Sequence, residues 1–237
     1  MIILAVESSA VAASVAVLKD EKLLCEIYSN NGLTHSVTLL PQIKSALDFC
    51  SLTVADVDVF AVSNGPGSFT GLRIGAATVK GLAGEKGCIG ISTLEAMAYD
   101  HLEFDGVICA CMDARCSQFY NALFECDGEK ITRLCEDRAL VSTELIAELE
   151  KINKSILLVG DGANLCYNNI KESSPELAKR VVLPAASRMY QHAGGVALCA
   201  LDKLSNGEKT VSADELNLSY LRLPQAEREL KKKENTK

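Results

Sequence analysis

Gly65-Pro66-Gly67-Ser68-Phe69-Thr70-Gly71-Leu72-Arg73-Ile74-Gly75 decides how the chain is read, and it follows an apolar run from Val57 to Val62. Glycine, proline and serine clustered after a strand-like run mark a tight turn. Ser68 or Thr70 stands where it can cap the helix that opens next. The pattern predicts that helix over about Thr70 to Lys86. Its first turn offers unpaired backbone N–H groups, which suit a phosphate. A Walker A loop, however, needs its second glycine followed by Lys and Ser/Thr, whereas Gly71 is followed by Leu72-Arg73.

The predicted helix is small-sided, with Gly71, Gly75, Ala76, Thr78, Gly81, Ala83 and Gly84. So many glycines weaken an isolated helix. Small residues three and four apart on one face also let a second helix approach closely. The stretch therefore reads as a packing surface, within its own domain or against another subunit, rather than as a catalytic loop.

A chain of 237 residues holds one large or two small domains, each with its own core. A formal charge of -7 argues against a large autonomous nucleic-acid surface. The one basic run, Lys231-Lys232-Lys233, lies in a polar tail. Met1 to Val6 is too short and lacks the basic start of a secretory signal, and no apolar stretch is long enough to cross a bilayer. A cytoplasmic location is expected. The ten cysteines form no C-x-x-C pair and are expected to be reduced, mostly buried thiols.

Outward from the glycine turn, Ile2 to Val6, Ala13 to Leu18 and Leu23 to Tyr28 read as three strands. Val37, Leu40, Ile43, Leu47 and Cys50 have helical spacing, with Pro41 predicting a kink or a late start. Val57 to Val62, the small-sided helix, a strand Cys88 to Ile91 and a helix Thr93 to His101 complete the first half. The same order returns in the second. Gly106 to Met112, Gln118 to Cys126 and Lys130 to Val141 read as strands, followed by a helix Thr143 to Ile152 capped by Ser142. A strand Ile156 to Val159 then runs into Gly160-Asp161-Gly162, which stands where the first glycine turn stands. A helix Ala163 to Ile170, a strand Arg180 to Leu183 and a helix Ser187 to Leu204 follow. Two such copies imply two mixed sheets with flanking helices. The halves are placed at residues 1–102 and 103–237, the second ending in the polar tail, with its last helix available to pack back on the first.

Four pieces then carry a specific resemblance: Ile3-Leu4-Ala5-Val6-Glu7-Ser8-Ser9, His35-Ser36 with Leu39-Leu40-Pro41, Gly65 through Gly75, and Tyr220-Leu221-Arg222. With them the chain resembles the TsaB family, whose fold is the duplicated α/β arrangement of the actin, Hsp70 and sugar-kinase superfamily (actin-like, ribonuclease H-like). Glu7-Ser8-Ser9 departs mildly from that pattern, where Asp or Glu followed by Thr is expected.

The resemblance implies a non-catalytic scaffold that pairs with TsaD for the threonylcarbamoyladenosine modification of tRNA beside the anticodon. It further implies a TsaE-like ATPase in the complex and tRNA contacted only through the complex, and it leaves both a homodimer and a monomer open when the chain is alone. No cofactor is expected on this chain alone, with ATP or ADP only in the assembled complex. Pairing is expected through the first two long helices, at His35, Leu40, Ile43, Leu47, Ser68, Phe69, Thr70, Gly71, Arg73, Ile74, Gly75 and Thr78. TsaD-like proteins carry two metal-binding histidines four apart, but Leu39 stands four after His35, so no metal site is expected.

Two enzyme readings compete with the scaffold. A weak ATPase or phosphotransferase would use Glu7, Ser8, Gly65 and Asp161 in the cleft, with Asp113 at a third turn and Lys80 or Arg73 neutralising charge. A protease would need Ser8, Ser9 or Ser68 to meet one of the three histidines, His35, His101 and His192, which sequence alone does not bring together.

Overall fold

The computed structural model describes residues 1–222. The first half contains β1 (Ile2–Glu7), β2 (Ala13–Lys19), β3 (Lys22–Ser29), α1 (His35–Phe49), β4 (Val59–Gly65), α2 (Phe69–Ala83), β5 (Gly87–Ser92) and α3 (Thr93–Tyr99). The second contains β6 (Asp105–Asp113), β7 (Gln118–Asp127), β8 (Ile131–Arg133), β9 (Arg138–Val141), α4 (Ser142–Leu149), β10 (Ile156–Val159), α5 (Ala163–Ser173), α6 (Pro175–Ala178), β11 (Val181–Val182) and α7 (Ala193–Ser205).

The five-stranded sheet has the order β3-β2-β1-β4-β5, and the six-stranded sheet runs β11-β10-β6-β7-β8 with β9 also on β7. In each, two antiparallel pairings are followed by parallel ones. The two sheets are copies of one plan. Strand alternation assigns the faces: Leu4, Val6, Val15 and Val17 join α1 and α2 in one core, while Ile3, Ala5, Ala16 and Leu18 join α7. In the second sheet Cys109, Cys111 and Leu158 pack with α4 and α5. Its other face, with Ile108, Ala110 and Phe124, takes Leu94, Met97 and Ala98 of α3. Because Ala96 and Tyr99 belong to the first sheet's core, α3 is shared by both sheets.

Several boundaries depart from the sequence expectation. The expected strand Lys130 to Val141 is two strands, β8 and β9, both paired with β7. Between them Leu134 still donates its N–H to the Leu123 carbonyl, but the Cys135 thiol accepts the Leu123 N–H and the Asp137 carboxylate accepts Arg133 and Ser92, in place of a continued ladder. Ser142 does not cap α4. It is the first helical residue, and its hydroxyl accepts Asn169. The expected helix from Ser187 starts at Ala193, after a 3-10 turn at Ala186–Arg188. Helix α1 passes through Pro41 from His35 onward, and Val37, whose carbonyl loses a partner to the proline, lies on the exposed side.

Candidate functional site

The glycine turn and α2 are positioned by the end of β1. Ser68 caps α2, its Oγ accepting the Gly71 N–H. The Ser8 hydroxyl donates to the Gly71 carbonyl at 3.0 Å. Cβ atoms on Gly71 and Gly75 would collide with the Ser8 carbonyl and hydroxyl respectively. The small face of α2 is thus filled by the chain's own β1 turn, which corrects the expectation that Gly71 and Gly75 admit a partner helix. Ile43 and Leu47 require the same correction. They are 2% and 4% exposed, buried under α1 against the first sheet.

Other residues of α1 and α2 do face outward. On α1 these are Val37 and Leu40, 61% and 54% exposed, with Pro41 beside them and Leu33 just before the helix. On α2, Thr70, Arg73 and Ala77 are exposed, and Ile74 and Thr78 are half-buried. Thr78 Oγ1 donates to the Ile74 carbonyl at 2.8 Å. The two helices pack side by side, so these residues form one surface. Helical spacing does not tell the inner apolar row of α1 from the outer, so it does not single out Val37. Ser68 is exposed at the α2 cap, and Phe69 is half-buried.

His35 opens α1 and its Nε2 meets the Ala10 carbonyl at 2.8 Å, tying the helix to the β1–β2 turn. Its Nδ1 is buried without a partner, as is Ser9 Oγ. No Ser hydroxyl bonds a histidine ring among the described residues. The nearest approach in sequence, Ser187 to His192, uses the Ser187 backbone carbonyl.

The nucleotide reading meets a packed interior. Glu7 and Ser8 are fully buried and Gly65 is buried. Glu7 accepts the Ser9 N–H at 2.6 Å and the Ser63 hydroxyl. Burial raises its carboxyl above the usual carboxylate range, partly offset by those bonds. The segment 211–222 passes from Cys88 on β5 to Asn64 and Gly65 at the end of β4. Val211 bridges to Cys88, and the Ser219 N–H donates to the Asn64 carbonyl at 2.8 Å. Tyr220 stacks on Phe69 with ring centroids 4.4 Å apart, and Arg222 donates to the Ala114 carbonyl at 2.9 Å. Gly65 has φ +130°, and a Cβ there would collide with the Ser219 carbonyl. Arg73 and Lys80 are held by this strap, at Tyr220 Oη and the Asp214 carbonyl, and do not point to a phosphate. Asp161 accepts Gln191, and Asp113 accepts the Arg115 N–H. Burial raises the Asp161 carboxyl. Glu7, Ser8 and Gly65 are thus buried against the chain's own groups, while Asp161 is half-buried and Asp113 exposed. Among the described residues no group of three His, Cys, Asp or Glu could hold a metal, and no helix is long and apolar enough to cross a membrane. The basic run Lys231 to Lys233 lies outside the described residues.

Comparison with known proteins places this geometry. A family model described as "TsaD: tRNA N6-adenosine threonylcarbamoyltransferase" matches residues 29–229. The tRNA threonylcarbamoyladenosine biosynthesis protein TsaB of Escherichia coli is 31% identical over 94% of this chain and 95% of its own length. The chain belongs to the TsaB family. The TsaB of Bacillus subtilis is 28% identical over 73% of this chain and 76% of its own length. A solved Pseudomonas aeruginosa structure, described as an uncharacterized protein with similarity to peptidase YEAZ, superposes with a TM-score of 0.76. It is 25% identical, covering 93% of this chain and 99% of that one. The fold is the duplicated actin-like α/β arrangement. The 2-hydroxyglutaryl-CoA dehydratase component A of Acidaminococcus fermentans shares it at TM-score 0.51, 12% identity, over 86% of this chain and 99% of that one.

Proposed function

We propose that this TsaB-family chain serves threonylcarbamoyladenosine modification of tRNA as a non-catalytic subunit, with TsaD as its direct partner. The outward faces of α1 and α2 make the contact. A TsaE-like ATPase and tRNA are reached through the assembled complex, and the same face lets two copies pair when TsaD is absent. The observation that carries the reading is the exposed apolar row Val37, Leu40 and Pro41 on α1, which packs beside α2 with its Ile74 and Ala77. Contiguous apolar surface of this kind marks an interaction site. Leu40, Ile74 and Thr78 supply packing, Thr70 and Arg73 lie at the rim, and Gly71, Gly75, Ile43 and Leu47 hold the helices in place from beneath.

The test is co-purification with the TsaD of the same organism, comparing wild type, the double variant Val37→Asp/Leu40→Asp, and Leu165→Asp on α5 as a control for an exposed leucine elsewhere. Loss of capture by the folded double variant alone is expected. Capture of TsaD by that variant at wild-type level would remove the assignment.

A further inference from the structure

Two cavities lie side by side where α7 and the end of α3 meet β3, the β2–β3 turn and the β7–β8 turn. Their volumes are about 410 and 420 Å³, and they share Tyr99, Leu102 and Leu198, so together they make one groove. None of the residues lining it lies on α1 or α2.

The middle of the groove is apolar and its two ends are acidic. Leu102, Leu198 and Leu201 present half-buried side chains to it. The first cavity adds the carboxylates of Glu26, Asp100 and Glu103, and the second those of Glu21, Glu129 and Asp202. The cationic groups beside them are Arg188, Lys130 and His192. Two of these already have partners in the groove: Arg188 donates to Glu103, and His192 Nδ1 lies 3.4 Å from Glu26. Glu26 is further satisfied by the Ser14 hydroxyl and the Gly194 N–H. Asp100 is not. Its Oδ2 is buried and has no hydrogen-bond partner among the described residues. A buried oxygen left without a donor is costly, and a ligand that brings one relieves the cost. Tyr99, next to Asp100 in the chain, donates its hydroxyl to Asp202 at 2.7 Å and so spans from one cavity to the other.

We propose that this groove binds a linear aliphatic polyamine, with one ammonium at Asp100, a second at Asp202, and the methylenes between them over Leu102 and Leu198. An ammonium brings three N–H donors and a positive charge to the unpartnered oxygen. Burial holds the Asp100 carboxyl well above the ordinary carboxylate range, and an ammonium within hydrogen-bonding distance pulls it back down. The methylenes take the apolar middle out of water, which neither a metal ion nor a short monoamine does across both cavities. A compact divalent cation is a poorer fit, because no three His, Cys, Asp or Glu among the described residues converge as metal ligands.

The site is independent of the docking reading and is tested on the isolated full-length chain. The protein is titrated with spermidine in a calorimeter at about 0.1 M salt, where attraction between distant charges is screened. Saturable binding is expected, with n-butylamine weaker by about tenfold or more. Asp100→Asn and Asp202→Asn should each weaken spermidine by about tenfold, the size of a charge-assisted hydrogen bond. Glu176→Gln on α6, outside the groove, should leave it unchanged. Asp100 packs against Gly195, so circular dichroism checks the fold of each variant, and the exposed Asp202 keeps the test decisive if Asp100→Asn does not fold. Absence of saturable binding, or wild-type affinity in both folded groove variants, would overturn the proposal. So would displacement of spermidine by magnesium chloride at equal charge, because general attraction to a chain of charge -7 would then account for the binding.

Discussion

The hydroxyl of Ser8 occupies the space that a Cβ on Gly75 would need, and the Ser8 carbonyl does the same to Gly71. A serine at the end of the first strand thereby dictates glycine at two positions of a helix more than sixty residues away. Gly71→Ala meets backbone and is expected to destabilise by about 2–3 kcal/mol, the range of overpacking. Gly81 on the same helix has nothing within 4 Å of its Cβ position. Gly81→Ala should stabilise by about 0.5–1 kcal/mol through helix propensity. Urea midpoints of the two variants check the opposite signs.

Leu40 and Leu47 sit seven residues apart in one row along α1, yet Leu47 is packed into the first core while Leu40 lies beyond its cover. Leu47→Ala empties part of the first core and is expected to cost about 2–4 kcal/mol. Leu40→Ala changes an exposed surface and is expected to stay within about 0.5 kcal/mol of wild type. Thermal unfolding followed by circular dichroism separates them, and equal losses would contradict the packing described.

His101 and His192 are expected to move stability with pH in opposite directions. Burial lowers the His101 pKa. Burial would also lower His192, but its contact with Glu26, 3.4 Å from Nδ1, and the nearby Asp100 outweigh burial and raise it. For His192 the folded protein binds more protons than the unfolded, so its contribution is full below the unfolded value of 6.5 and is lost as pH rises through the folded pKa. For His101 the unfolded chain binds more, so stability grows as pH rises through the window below 6.5. Relative to wild type, His192→Gln should gain stability as pH increases above 6.5, and His101→Gln should gain it as pH falls below 6.5. Denaturant midpoints from pH 5 to 8 give both slopes.

Tyr220 anchors the strap through Phe69 and Arg73. Tyr220→Ala should cost about 1–2 kcal/mol, combining an aromatic pair with a cation–π contact. It should also speed hydrogen exchange at Ser219, whose N–H donates to Asn64. Unchanged exchange there would mean that the strap is held elsewhere.

The sheets were legible because β1 and β2 carry apolar side chains on both faces and their turns are marked by polar clusters. The doubling was legible because the two glycine turns end equivalent strands. The start of α7 was not. Its first N–H groups, at Ala193 and Gly194, are accepted by Ser14 and Glu26 on the first sheet, so the cap lies more than 160 residues away in sequence. Of the residues proposed for docking, Leu40, Thr70, Arg73, Ile74 and Thr78 have at least part of their surface outside, while Ile43, Leu47, Gly71 and Gly75 face inward. Helical spacing marks apolar positions without saying which row the sheet will claim. The contact of the strap with the glycine turn was unreadable for a similar reason, since only the fold brings Ser219 over Gly65.

The location of α7 and the strap also sets an order of events during synthesis. The face of the first sheet that holds Ile3, Ala5, Ala16 and Leu18 is covered by Ala193, Val196, Ala197 and Ala200, and the edge of β5 is met by Val211. Domains made first on the ribosome ordinarily fold first. Here the half that emerges first waits, with an uncovered apolar sheet, for residues made nearly at the end of the chain. A nascent chain stalled before Ala193 is therefore a natural client for a chaperone, and the arrival of α7 covers the first sheet.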